Sequence, residues 1–94
     1  MRKKLLGDEH PDVATSLNDL ALLYKNQGRY DDAELLYIQA LDIRKKLLGD
    51  KHYDVALSLN NLAVLYDNQG RYDDAQRLYI QALEIYKKLS RGSF

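Results

Sequence analysis

Hydrophobic residues recur along this chain at a helical spacing. Val13, Leu17, Leu20, Ala21 and Tyr24 stand at i, i+4, i+7, i+8 and i+11, one stripe of an α-helix. A second stripe follows: Ala33, Leu36, Tyr37, Ala40, Leu41 and Leu47. Between them lies Asn26-Gln27-Gly28, whose glycine can take the left-handed conformation that stops a helix. Pro11 suits a first helical position, and Asp12 complements the helix dipole there. Asp31-Asp32 opens the second helix, Arg44-Lys45-Lys46 sits at its cation-favouring end, and Gly49-Asp50 closes the unit. The pattern predicts helices over residues 11–26 and 31–47.

The pattern is then written again. Shifting the chain by 42 places sets Arg2 on Arg44 and ends with Leu47 on Leu89; of these 46 pairs ten differ and 36 are identical. The second copy carries Val55, Leu59, Leu62, Ala63 and Tyr66, then Gly70, then Ala75, Leu78, Tyr79, Ala82, Leu83 and Leu89. Its helices are predicted over 53–68 and 73–90. The organisation that follows is the end of a preceding repeat at residues 1–7, repeat 1 at 8–49, repeat 2 at 50–90, and a tail at 91–94 outside the repeat. Residues 2–6 are expected to form a helical stub. Such near-identity is compatible with recent duplication or with deliberate engineering.

These units predict an all-α protein, two antiparallel helix hairpins stacked by one constant translation. Ala21, Ala33 and Ala40, with Ala63, Ala75 and Ala82, fall where helices approach closely, and Tyr24, Tyr37, Tyr66 and Tyr79 fill the gaps opposite them. One constant translation predicts equivalent surroundings for Leu20 and Leu62.

Composition narrows the classes of function. Apolar residues make up 46% and charged residues 30%, as in a globular chain, and a single proline with few glycines favours long helices over a sheet. Fourteen basic residues balance fourteen acidic ones, so the positive excess of a nucleic-acid binder is missing. With no cysteine there is neither a disulfide nor a thiolate metal site, which fits a reducing compartment. The apolar part of Met1–Gly7 is too short for a signal peptide, and no run approaches the roughly 20 apolar residues of a membrane span. A soluble, cytoplasmic protein is expected, with neither nucleic acid nor membrane as partner.

The residues offer little for catalysis. Asp31-Asp32 and Asp73-Asp74 are neighbours that point apart on a helix, better read as helix-start residues than as paired acids. No nucleophile–base pair or phosphate loop occurs, so no catalytic residue and no cofactor are expected. His10 and His52 recur at equivalent turns, but stacked repeats lie on the order of 10 Å apart, too far for a shared metal. Six of the eight tyrosines are repeat positions and are expected in the core; Tyr53 and Tyr86 are not, and Tyr86 is expected to mark exposed apolar surface. Lys3-Lys4, Lys45-Lys46 and Lys87-Lys88 line up in the stack, either as compensation for helix dipoles or as a basic ridge.

The arrangement resembles the tetratricopeptide repeat, and more closely the 42-residue form found in kinesin light chains and their bacterial relatives. Leu17, Leu20-Ala21, Tyr24, Gly28, Tyr30, Ala33, Tyr37 and Ala40-Leu41 carry the resemblance, matched by Leu59, Leu62-Ala63, Tyr66, Gly70, Tyr72, Ala75, Tyr79 and Ala82-Leu83. The connector Gly7-Asp8-Glu9-His10-Pro11-Asp12 looks like the light-chain signature, while Tyr53 replaces its proline in copy two, leaving that helix start less rigidly set. The ordinary unit is about 34 residues.

The resemblance implies an α-solenoid scaffold that binds a protein or peptide on a concave face lined by the first helix of each unit. Carried over, that groove comprises Thr15, Asn18, Leu22 and Lys25 in copy one and Leu57, Asn60, Val64 and Asp67 in copy two. Positions 15, 18, 22 and 25 also form a helical face turned away from the Val13/Leu17/Ala21 stripe. Asn18 and Asn60 either read a ligand's backbone or bond to a neighbouring helix. The lysine-rich carboxylate clamp of chaperone-binding relatives is not visible at these positions, which argues against acidic C-terminal peptides.

A second class of function is structural. Repeats generally need about three copies and polar caps for stability. With two copies and no evident cap, the C-terminal face of one molecule should complement the N-terminal face of the next, or hairpins should exchange between molecules. Homo-oligomerisation is therefore expected.

Overall fold

A histidine starts the first helix of each repeat. In the computed structural model, which describes residues 10–92, His10 Nδ1 accepts the Asp12 backbone N–H at 3.0 Å and caps α1 (Pro11–Asn26). His52 Nδ1 accepts from Asp54 N–H at the same 3.0 Å and caps α3 (Tyr53–Asn68). An imidazole nitrogen here does what a Ser or Asp oxygen does at most helix starts, satisfying an otherwise orphaned donor. The cap also explains why α3 begins at the position equivalent to α1 although Tyr53 stands where α1 has Pro11. Tyr53 gains a neighbour instead, its ring centroid lying 5.4 Å from that of Tyr86 in a tilted pair.

Both first helices end in the same closed turn. The Arg29 N–H donates to Tyr24 O at 2.8 Å and Gly28 N–H to Lys25 O at 3.0 Å; Arg71 to Tyr66 O and Gly70 to Asp67 O repeat these distances. Gly28 and Gly70 sit at φ +81° and +80°, where a Cβ would be strained, so glycine at these two sites sets the hairpin bend. The chain then enters α2 (Tyr30–Leu48) and α4 (Tyr72–Gly92). The latter takes in Arg91 and Gly92, which the repeat pattern assigned to a tail. The stub expected at residues 2–6 lies outside the described residues.

Helix α1 packs on α2, α3 on α4, and α2 on α3, so the hairpins stack through their adjoining helices. Among the described residues there are four helices and no strand. The alanines fall where expected: Ala21, Ala33, Ala40, Ala63, Ala75 and Ala82 are all buried. One cluster gathers Ala21, Ala33, Tyr37, Leu62, Ala63, Leu65, Tyr66 and Ala75, drawing on all four helices. A second joins Leu41 to Val55, Ala56, Leu59, Ala82 and Ile85.

Translation does not give equal surroundings. Leu62 is 4% exposed and Leu20 39%, because α3 is flanked by α2 and α4 whereas α1 packs on α2 alone among the described helices. The expected equivalence of these two leucines fails for this reason. Leu47, Tyr79, Leu83 and Leu89 of the predicted stripes are likewise exposed, and so is Tyr72. The repeat tyrosines are therefore not all core.

Candidate functional site

Helices α1 and α3 carry every residue of the expected groove. Thr15 and Leu22 on α1 are exposed, with Asn18 and Lys25 half-buried; on α3, Leu57 and Asp67 are exposed, with Asn60 and Val64 half-buried. None of the eight is a core residue.

The two asparagines are tied to the scaffold. With its carboxamide oxygen toward α2, Asn18 Oδ1 accepts from Arg44 Nη1 at 2.9 Å and Nη2 at 3.1 Å. The same guanidinium reaches across to α3, donating to Ser58 Oγ at 2.9 Å and to Asp54 O at 3.3 Å. Arg44 thus joins three helices by charge-assisted bonds, and it accounts for Ser58, a fully buried polar residue. In repeat 2 the pairing persists with different chemistry: Asn60 Nδ2 donates to Tyr86 Oη at 3.3 Å. Tyr86 is half-buried against Tyr53, not the open apolar surface expected of it, and burial raises its phenol pKa.

A second polar link spans the two repeats at the other end of the junction. Tyr66 Oη donates to Glu34 Oε2 at 2.8 Å, and Arg71 Nη1 lies 3.4 Å from Glu34 Oε1. The Arg71 guanidinium also stacks over the Tyr66 ring at 4.0 Å and bonds Asp74 at 3.1 Å. Burial, followed by the Glu34 hydrogen bond, pushes the Tyr66 phenol up to about 12.

Sequence reasoning missed these linkers. The helical pattern places Arg44 with the cations at a helix end and Ser58 off the apolar stripe, and His10 and His52 are helix caps. Only the histidines had an available signal, their place just before an acidic first turn.

Other surface chemistry is sparse. Lys45, Lys46, Lys87 and Lys88 are exposed, and Lys3-Lys4 lies outside the described residues. Lys88 stands close to Lys51, and the proximity and like charge of that ammonium lower the Lys88 pKa. Among the described residues no group of three or more His, Asp or Glu is placed to hold a metal, and no helix is long and apolar enough to cross a membrane.

The model of the tetratricopeptide repeat family matches residues 1–46 and 23–88, two overlapping stretches that take in both hairpins. The chain belongs to the tetratricopeptide repeat family. A similar solved structure is the crystal structure of BtubC (BKLC) from P. vanneervenii, with a TM-score of 0.85 and 36% sequence identity. The likeness covers 86% of this chain and 32% of that one, so this chain spans about a third of that protein. No curated protein sequence matches. As a tetratricopeptide protein the chain is a helical-repeat scaffold of a kind that generally mediates protein–protein interaction.

Proposed function

We propose that this chain is a non-catalytic scaffold that binds an extended peptide along Thr15, Asn18, Leu22 and Lys25 of α1 and Leu57, Asn60, Val64 and Asp67 of α3. The observation that carries this reading is where the two repeats differ. At the four groove positions only the asparagine is common to both, and its amide is tied to a residue of the second helix in each. The other three vary: Thr15 against Leu57, Leu22 against Val64, Lys25 against Asp67. Three of the ten differences between copies thus fall on this small set, whereas the core alanines, leucines and turn glycines stay identical. A surface that varies on an unvarying frame is suited to reading a ligand.

The side chains specify what would bind. Leu22 and Leu57 offer exposed apolar area to an aliphatic or aromatic side chain, and Lys25 and Asp67 give the groove opposite charges one repeat apart. A peptide with an apolar anchor flanked by an acidic and a basic residue fits, their charges separated by about 10 Å, the helix-packing spacing. The cysteine-free composition suits the cytoplasm.

A peptide library screened against the chain tests the reading. Leu22→Ser with Leu57→Ser should reduce binding by about tenfold or more, since burying each leucine contributes of order 1–2 kcal/mol, while the melting temperature stays within about 2 °C. Binding unchanged in this double variant contradicts the groove. Asn18→Ala with Asn60→Ala should lower stability as well as affinity, because both amides hold a helix partner.

A second reading, self-association through the stacking faces, is favoured by a separate observation. Leu20 and Leu23 on α1 and Tyr79, Ile80 and Leu83 on α4 are exposed together at the two ends of the stack.

A further inference from the structure

The junction between the repeats shows what those two ends would do to each other. Its α2 half presents Ala33, Glu34, Tyr37 and Leu41, and its α3 half presents Leu62, Leu65 and Tyr66. Forty-two residues later, α4 carries Ala75, Gln76, Tyr79 and Leu83; forty-two earlier, α1 carries Leu20, Leu23 and Tyr24. Each outer face is one half of the inner junction. The burial values show that the halves are open: Leu65 is 0% exposed and Leu23 51%, Leu41 is 8% and Leu83 51%. The open half is a shallow groove of about 260 Å³, lined by Asp67 at the end of α3 and by Tyr72, Gln76, Tyr79, Ile80 and Leu83 of α4.

The polar part of the α1 half is already in place. Arg29 stacks over Tyr24 at 4.2 Å and pairs with Asp32 at 2.9 Å, the posture that Arg71 holds over Tyr66 beside Asp74. Only the receiving side has changed. Where the inner junction has the Glu34 carboxylate, α4 has the neutral Gln76, and where it has Arg44, α4 has Tyr86, engaged with Asn60 and Tyr53.

We propose that the α1 face of one chain docks onto the α4 groove of a second copy in the register of the inner junction, with Leu20, Leu23 and Tyr24 seated over Ala75, Gln76, Tyr79 and Leu83. The contact is heterologous, so it propagates as a head-to-tail stack. It keeps the apolar half of the inner junction and lacks its carboxylate, so association between chains is weaker than the junction it copies. Restoring that carboxylate strengthens it. The inference rests on the self-association reading and specifies its contacts; of the proposed peptide groove it shares Asp67 alone.

Sedimentation velocity on the 94-residue chain, from micromolar to millimolar, tests it. Leu23→Asp removes the head and Leu83→Asp the tail, each on an exposed position, so helicity by circular dichroism should be retained. Each variant alone should associate at least ~30-fold more weakly than the parent, a buried unpaired carboxylate opposing either contact. Mixed in equal amounts, the two should form a 1:1 pair and nothing larger, since one intact head and one intact tail remain. Gln76→Glu should tighten association about 3- to 10-fold by charge-assisted bonds to Tyr24 and Arg29 of the neighbour, and Arg29→Ala should erase most of that gain.

Three results would overturn the inference in different ways. A parent that associates as strongly as both Asp variants joins through other contacts, hairpin exchange among them, and self-association outlives the proposed register. Asp variants that stay monomeric without pairing in the mixture contradict the head-to-tail arrangement. A parent that is monomeric throughout removes the self-association reading as well.

Discussion

Helices α1 and α3 differ little in sequence and greatly in worth. Eight residues of α3 are buried, against Ala14 and Ala21 alone in α1. The difference is one of position, because among the described helices α3 has one on each side and α1 has α2 alone. A repeat protein therefore assigns energy by neighbourhood as much as by residue type, as expected where each unit contacts only the units beside it. The lesson extends to polar groups: Tyr24 and Tyr66 carry equivalent stacked arginines, Arg29 and Arg71, and among the described residues only Tyr66 finds a carboxylate.

That contrast can be broken at several points. The largest effect belongs to Leu65→Ala, which empties a fully buried site and should cost about 2–5 kcal/mol in urea unfolding. Ala33→Leu comes next, at about 1–3 kcal/mol, because the added side chain overpacks a site in the cluster shared by all four helices. Tyr66→Phe follows at about 1–2 kcal/mol, through loss of a hydrogen bond to a charged partner, whereas Tyr24→Phe should be nearly neutral in the monomer.

The same tyrosine gives the contrast a pH signature. Its phenol is held up to about 12 in the folded chain against an ordinary value near 10, so the unfolded chain loses the proton first as pH rises. Its contribution is fully present below about pH 10 and is lost between about pH 10 and pH 12. Alkaline melts of the parent and of Tyr66→Phe should converge across that window. A smaller effect belongs to His52→Ala, about 1 kcal/mol for a lost cap, which thermal melts would detect.

Much of this architecture was legible in the residues. The 42-residue identity, the turn glycines and the alanines at helix crossings lead directly to two antiparallel hairpins. What escaped has a common cause. A single-stripe template describes a helix buried on one side, and α3 is buried on two, so Leu65 and Ser58 lie off the stripe that Leu59, Leu62, Ala63 and Tyr66 define. Its counterpart Leu23 lies off the α1 stripe in the same way and is exposed. Arg44 was illegible because its three partners lie 10, 14 and 26 positions away, and no local pattern predicts them. The eight proposed groove positions could be placed outside the core from periodicity alone, four of them exposed and four half-buried. The peptide proposed for them is outlined by their variation between repeats.

The central claim is that one residue type at one repeat position has its energy set by whether a neighbouring hairpin covers it. Urea unfolding of Leu62→Ala and Leu20→Ala, at a protein concentration low enough to hold the chain monomeric, tests it most directly. Leu62→Ala should lose about 2–5 kcal/mol and Leu20→Ala less than about 1 kcal/mol. Equal losses at the two sites would contradict the account.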